Sequence, residues 1–263
     1  TVGKGAVVTV DPGQAINVRS IGQLTVDGTL NAWGGNVTLM GIANTDSERV
    51  EAIGHGRSIW IGEQAVIDVA SRAVTAVDTR GQVYGQVRNG GKITVGGDID
   101  LATGIAKASD LFVVLREGAR LDASGSQALL DVPGQGRTYV ASNGGSIAFA
   151  SNNGLYLDGS FVANAGGAGA AGGSLSLALE SPYYLKMSVT DRVLNARELV
   201  LGQVHQRSPL ADTAEAAADS LEYGHARLGV DQISAGGFDN LALLTDGLLS
   251  FDGDVSLNMG QSL

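Results

Sequence analysis

The sequence contains no cysteine, which excludes disulfides, thiolate metal sites and thiol nucleophiles together and leaves the redox compartment open. It has 4 prolines beside 39 glycines in 263 residues. Glycine is thus roughly 15% of the chain against a usual ~7%, and with so little proline neither collagen nor a proline-rich linker accounts for it. Basic residues are scarce: 17 Lys and Arg face 27 Asp and Glu, a net charge of −10. Such a balance repels a phosphate backbone or an anionic membrane surface, so no nucleic-acid partner is expected. No stretch approaches the ~18 consecutive apolar residues that span a bilayer, and no membrane span is expected. Thr1-Val2-Gly3-Lys4-Gly5 carries neither a basic nor an apolar leader region, so any targeting signal is expected to lie outside this segment.

What is present is aliphatic. Hydrophobic residues make up 44% of the chain but aromatics only 5%, enough apolar side chain to offset the entropy of ordering and exclude disorder. In Gly90-Gly91-Lys92-Ile93-Thr94-Val95-Gly96-Gly97-Asp98-Ile99-Asp100-Leu101, Ile93 and Val95 point one way and Lys92 and Thr94 the other. After a glycine corner, Ile99 and Leu101 resume the apolar face and Asp98 and Asp100 the wet one, the alternation of half-buried strands. The phrase recurs at Leu24 and Val26, Val37 and Leu39, Ile59 and Ile61, Ile67 and Val69, Ile147 and Phe149, and Leu155 and Leu157. It continues through Leu175, Leu177 and Leu179, Leu241 and Leu243, and Val255 and Leu257. A Gly-Gly pair opens the unit at Gly34, Gly90, Gly144 and Gly172, and more loosely at Gly236, the self-similarity of a repeat architecture. Strands of only ~3 to 5 residues with glycine corners fit antiparallel sandwiches and propellers poorly. The expectation is an all-β fold, a right-handed parallel β-helix with one short helical insertion, whose narrow core needs no large aromatics. At roughly 20 to 25 residues per coil it would hold about nine or ten coils over ~45 Å.

The phrases Arg116-Glu117-Gly118-Ala119-Arg120-Leu121-Asp122-Ala123-Ser124-Gly125, Gly144-Gly145-Ser146-Ile147-Ala148-Phe149 and Gly154-Leu155-Tyr156-Leu157-Asp158-Gly159 resemble the filamentous haemagglutinin family, as do Gly172-Gly173-Ser174-Leu175-Ser176-Leu177 and Gly237-Phe238-Asp239-Asn240-Leu241. That family comprises the large exoproteins of Gram-negative two-partner secretion. The resemblance implies a secreted or cell-surface β-helical shaft, exported through an outer-membrane transporter, that acts as an adhesin or biofilm linker or projects a distal effector. A surface glycan or protein receptor would be its partner. The family's secretion domain carries Asn-Pro motifs, and this sequence has no Asn-Pro; an internal shaft segment, continuing in both directions, is therefore expected.

Glycine nearly vanishes between Ser174 and Tyr223, where only Gly202 occurs. Coils are expected over 1–180 with a polar loop near 43–55, an irregular insertion over 181–230, and continuing coils over 231–263. Asp212-Thr213-Ala214-Glu215 reads as an N-cap with its capping-box glutamate. Ala214, Ala217, Ala218 and Leu221 follow at helical spacing before Gly224, so a short amphipathic helix is expected about 213–223. Its role is read as covering exposed aliphatic surface rather than forming a lid or docking site.

Candidate sites are few. Asp98 with Asp100, and Asp252 with Asp254, share the outer face of a strand about 7 Å apart, a separation open to an inverting carboxyl pair. Neither pair has a nearby histidine, and alternating acids on an exposed strand ordinarily deter edge-to-edge pairing. Tyr183 and Tyr184 could stack on a sugar. His55, His205 and His225 show no i, i+4 ligand pair, and no calcium nonapeptide occurs. Hence no catalytic residue, metal or cofactor is expected, and the weak ligand-binding candidates are Tyr183, Tyr184, Asp98 and Asp100. Asn36-Val37-Thr38 is the sole glycosylation sequon. A carbohydrate-binding or polysaccharide-cleaving β-helix using outward aspartates is the alternative reading.

Overall fold

The computed structural model describes residues 1–41, 56–180 and 196–262. Tyr183, Tyr184, His55 and the expected polar loop at 43–55 lie outside the described residues. The fold is all-β, built on three sheets of five, six and seven strands. The first holds Val7–Thr9, Thr29–Asn31, Val66–Asp68, Arg120–Asp122 and Ser160–Val162. The second holds Ala15–Ser20, Asn36–Gly41, Lys92–Val95, Ser146–Ser151, Gly173–Leu179 and Phe238–Thr245. The third runs, edge to edge, through Leu24–Val26, Ser58–Ile61, Phe112–Leu115, Gly154–Leu157, His225–Gly229, Glu198–Gly202 and Leu248–Asp252. Every pairing within these sheets is parallel, as between Lys92 and Ser146 or Phe112 and Ser58. The chain visits the first, second and third sheet in turn, and each circuit adds one layer.

The alternation read from the sequence sets which side chains enter the middle. Ile16, Val37, Ile93, Ile147, Leu175 and Leu241 stand in register across the second sheet. Leu24, Ile59, Val113 and Leu155 do so in the third, and Leu30, Ile67, Leu121 and Phe161 in the first. All are buried, each contributing about 1.5–3 kcal/mol of transfer free energy. Phe149, Phe161 and Phe238 fill the middle, the first two edge to face with centroids 5.5 Å apart and the last two tilted at 6.2 Å.

The Gly-Gly pairs sit at the corner entering the second sheet, where successive layers touch backbone to backbone. A Cβ on Gly91 would stand 2.0 Å from the Gly35 carbonyl oxygen, and one on Gly145 would stand 1.9 Å from that of Gly91. The same carbonyls accept the next layer's amides, Lys92 to Gly35 at 2.9 Å and Ser146 to Gly91 at 3.0 Å.

Three antiparallel hairpins leave the layers: Val74–Val77 with Val83–Gln86, Gly97–Asp100 with Ile105–Ala108, and Gln127–Val132 with Gly136–Ala141. The stretch containing Asp98 and Asp100, expected as part of a coil, is thus a hairpin arm; its alternation lays Ile99, Ala106 and Ala108 on Ala150 and Ala178, on the outside of the second sheet. The first and third hairpins project from the same corner in successive layers, and the Val83 amide donates to Asp131 Oδ2 at 2.6 Å. Because these excursions consume chain, the sheets hold five to seven strands instead of the nine or ten coils expected.

The span 181–230 is not irregular throughout. Its strands Glu198–Gly202 and His225–Gly229 belong to the third sheet, in reversed order: the later strand lies beside Gly154–Leu157 and the earlier one lies outside it. The chain between them carries helix α1 (Ala214–Ala217), continued by a 3-10 turn over Ala218–Ser220. Its N-cap is Thr213, whose side chain accepts from the Ala216 amide at 3.3 Å, one residue later than expected because Asp212 is drawn to Arg116. The segment covers the outside of the third sheet, packing Leu210, Ala214, Ala217 and Leu221 on Trp60, Phe112 and Val114. A second helix that the sequence pattern did not signal, α2 (Val230–Ala235), follows His225–Gly229. Ile233 is buried, and the Gly236 carbonyl accepts the Ala163 amide at 2.8 Å, so α2 follows Ser160–Val162 where the first sheet's next strand would lie. Beyond Leu248–Asp252, Val255 and Leu257 form no strand, but they pack partly buried against the core. Among the described residues no helix is long and apolar enough to cross a membrane.

Candidate functional site

Three of the four candidate aspartates are engaged by neighbouring groups. Asp98 meets the Lys92 ammonium at 3.4 Å. Asp100 caps its own turn, accepting the Ala102 amide at 3.0 Å; hydrogen bonds from the Thr103 side chain and the Ala102 amide hold its carboxyl below the ordinary range. Asp252 pairs with Arg227, and Asp254 stands exposed after the Gly253 turn. Asn36 is exposed at the first position of its strand.

His205 and His225, far apart in sequence, are brought to the lining of one cavity of about 330 Å³ beside the insertion, together with Tyr156, Arg207, Glu222 and Arg227. The Tyr156 hydroxyl accepts the Glu222 amide at 2.7 Å, and burial raises its pKa. The buried Asp158 carboxylate anchors the insertion. Its Oδ1 lies 3.0 Å from His205 Nε2 and accepts the Ser208 amide at 3.0 Å and the Ser208 hydroxyl at 3.2 Å. A nucleophilic relay needs the histidine between hydroxyl and carboxylate; here both groups converge on the same carboxylate oxygen, so the cluster fastens a loop and does not activate Ser208. Nearby, Arg116 meets Asp212 at 3.2 Å and lies over the Trp60 ring at 5.2 Å.

A different surface has the makings of a ligand site. A groove of about 410 Å³ runs between the first hairpin and the corner formed by Pro12, Trp33 and Gly34. In the hairpin register Val74 opposes Gln86 and Ala76 opposes Tyr84, so these four share one face, and all four line the groove. Tyr84 is 57% exposed. Across from it Trp33 is fixed by its indole N–H, which donates to Asp68 Oδ2 at 3.0 Å. The same oxygen holds Arg72 at 2.7 Å, and the Arg72 guanidinium lies over the Trp33 ring at 5.5 Å. Asp68 Oδ1 accepts the Ala70 amide at 2.9 Å, so one carboxylate orients the indole, the cation and the turn. Arg88 completes the lining, its Nε donating to Gln86 Oε1 at 2.9 Å. Aromatic rings flanked by planar hydrogen-bonding side chains suit sugar rings, whose C–H faces stack and whose hydroxyls bond at the edges. Sequence reasoning missed this site, since its residues come from three separate stretches. Its one local sign is the alternation Tyr84, Gln86, Arg88, which sets three recognition side chains on one face. Comparison with protein-family models, with curated proteins and with solved structures returns no match.

Proposed function

We propose that the chain is a structural and adhesive segment of a large secreted or cell-surface exoprotein, similar to the filamentous haemagglutinins, and that it presents a side groove to a surface glycan. The observation that carries the reading is the groove itself, an aromatic and guanidinium-lined surface mounted where hairpins project from stacked parallel layers. Those layers supply a stiff support, since every strand inside the three sheets is bonded to a neighbour on both sides. The partners already holding Asp98, Asp100 and Asp252 speak for binding over cleavage. On this reading the parent protein crosses the outer membrane of a Gram-negative bacterium through a dedicated transporter, and attachment to a cell or a biofilm matrix is its work.

Beads coated with the protein test the reading against cultured cells and matrix polysaccharide. Attachment that drops after enzymatic deglycosylation of the target, and with Tyr84→Ala, is the expected result; beads that attach no better than albumin-coated ones count against it. Incubation with a panel of acidic and neutral polysaccharides separates the alternative: depolymerisation lost in Asp98→Asn or Asp252→Asn would establish a cleaving enzyme.

A further inference from the structure

The charges in the groove narrow the class of glycan, and this step rests on the reading just given. Two cations line it. Arg72 is neutralised by Asp68, whereas among the described residues no carboxylate pairs with Arg88. The side chain of Arg88 is nonetheless placed: its Nε is taken by Gln86, and a Cβ on Gly13 would stand 3.2 Å from its Nη1. Gly13 has φ +85, a conformation suited to glycine, and its bare α-carbon leaves the guanidinium room at that corner. With Nε engaged, the edge carrying Nη1 and Nη2 is the one that can take a two-oxygen acceptor in parallel hydrogen bonds. Tyr84 offers an exposed ring on the same hairpin face as Gln86.

We propose that the groove binds a sugar unit bearing a single carboxylate, of the uronic-acid or sialic-acid class, with the pyranose ring on Tyr84 and the carboxylate on Arg88. A densely charged polyanion fits less well, because the chain carries a net charge of −10 that opposes a run of negative charge extending beyond the groove.

The test is equilibrium titration, by calorimetry or by chemical-shift mapping, of the full chain with oligosaccharides ending in glucuronic or N-acetylneuraminic acid. Each is compared with its carboxyl-reduced counterpart. Acid sugars are expected to bind, and carboxyl reduction of the ligand to weaken binding by about 10-fold or more, the worth of a charge-assisted bidentate contact. Arg88→Gln should produce a loss of similar size, and Arg88→Lys a smaller one; the reduced ligand tests the same contact on the unaltered protein. Equal affinity for acid and reduced sugars, with Arg88→Gln unchanged, overturns the carboxylate assignment and leaves the glycan reading standing. Binding confined to sulfated polymers also overturns it. If no sugar of either kind binds, both fall.

Discussion

At the scale of single residues, glycine in this protein is a matter of distance between layers more than of turn conformation. The positions for a Cβ on Gly91 and Gly145 are already occupied by carbonyl oxygens of the layer before, and neither glycine has a positive φ. Gly145→Ala is therefore expected to lower stability by on the order of 3 kcal/mol or more, through displacement of a layer. Gly3→Ala, with nothing within 4 Å and no positive φ, should be neutral; urea melts of the pair settle it, and equal midpoints would refute the stacking argument. Glu180 supplies a second prediction. Desolvation by burial, with the Asp246 charge adding to it and the Ala106 amide opposing it, raises its pKa. A raised carboxyl disfavours the ionised form in the fold, so the native protein gains stability as pH falls through the raised value, down to the ordinary carboxylate range. Glu180→Gln retains an oxygen for the Ala106 amide, which bonds Oε1 at 3.0 Å. It should raise Tm at pH 7, with the advantage closing as pH falls toward 4; a Tm difference independent of pH would contradict this.

At the scale of elements, the insertion is held over the third sheet by a buried carboxylate as well as by apolar contact. Asp158→Ala leaves the His205 ring and the Ser208 hydroxyl without their shared acceptor, a loss of about 1–3 kcal/mol. Hydrogen exchange should show it concentrated over residues 205–223, with the layers before Gly154 unchanged; uniform loosening of all layers would assign Asp158 a different role. Thr213→Ala removes the cap of α1 and should cost about 1 kcal/mol. This helix was legible in the sequence because its apolar spacing departs from the surrounding alternation, and its covering role followed from Ala217 and Leu221. The hairpins were not legible as hairpins. Ile99 and Asp100 alternate just as coil residues do, and alternation fixes which face a side chain takes but not which strand it pairs with. Helix α2 escaped for a related reason: Val230 and Ile233 alone mark its buried stripe, too short a run to reveal a period. Its other signal, Gln232 accepting the Gly229 amide at 3.1 Å, is a cap without a serine or threonine to announce it.

At the scale of the whole molecule, the parallel architecture was legible because every inward ladder is written as the same local phrase. The groove was not, since Trp33, Tyr84 and Arg88 meet only once the first hairpin folds toward an earlier corner. The reversed order of Glu198–Gly202 and His225–Gly229 was equally hidden, because either strand's pattern fits either place. It yields a test by truncation. A chain ending after Gly202 lacks the strand that joins Glu198–Gly202 to the rest of the third sheet, so amides 198–202 should exchange freely while those of Phe112–Leu115 stay protected. Protection at 198–202 in that shortened chain would mean the strand can take the inner place itself. The reversal also bears on time. As a chain emerges N-terminus first, earlier layers can settle one upon another as they appear, but the place beside Gly154–Leu157 belongs to residues that arrive after those of the place beyond it. Glu198–Gly202 must wait, unjoined, until His225–Gly229 slips in between, so this end closes in a single late event rather than by steady accretion.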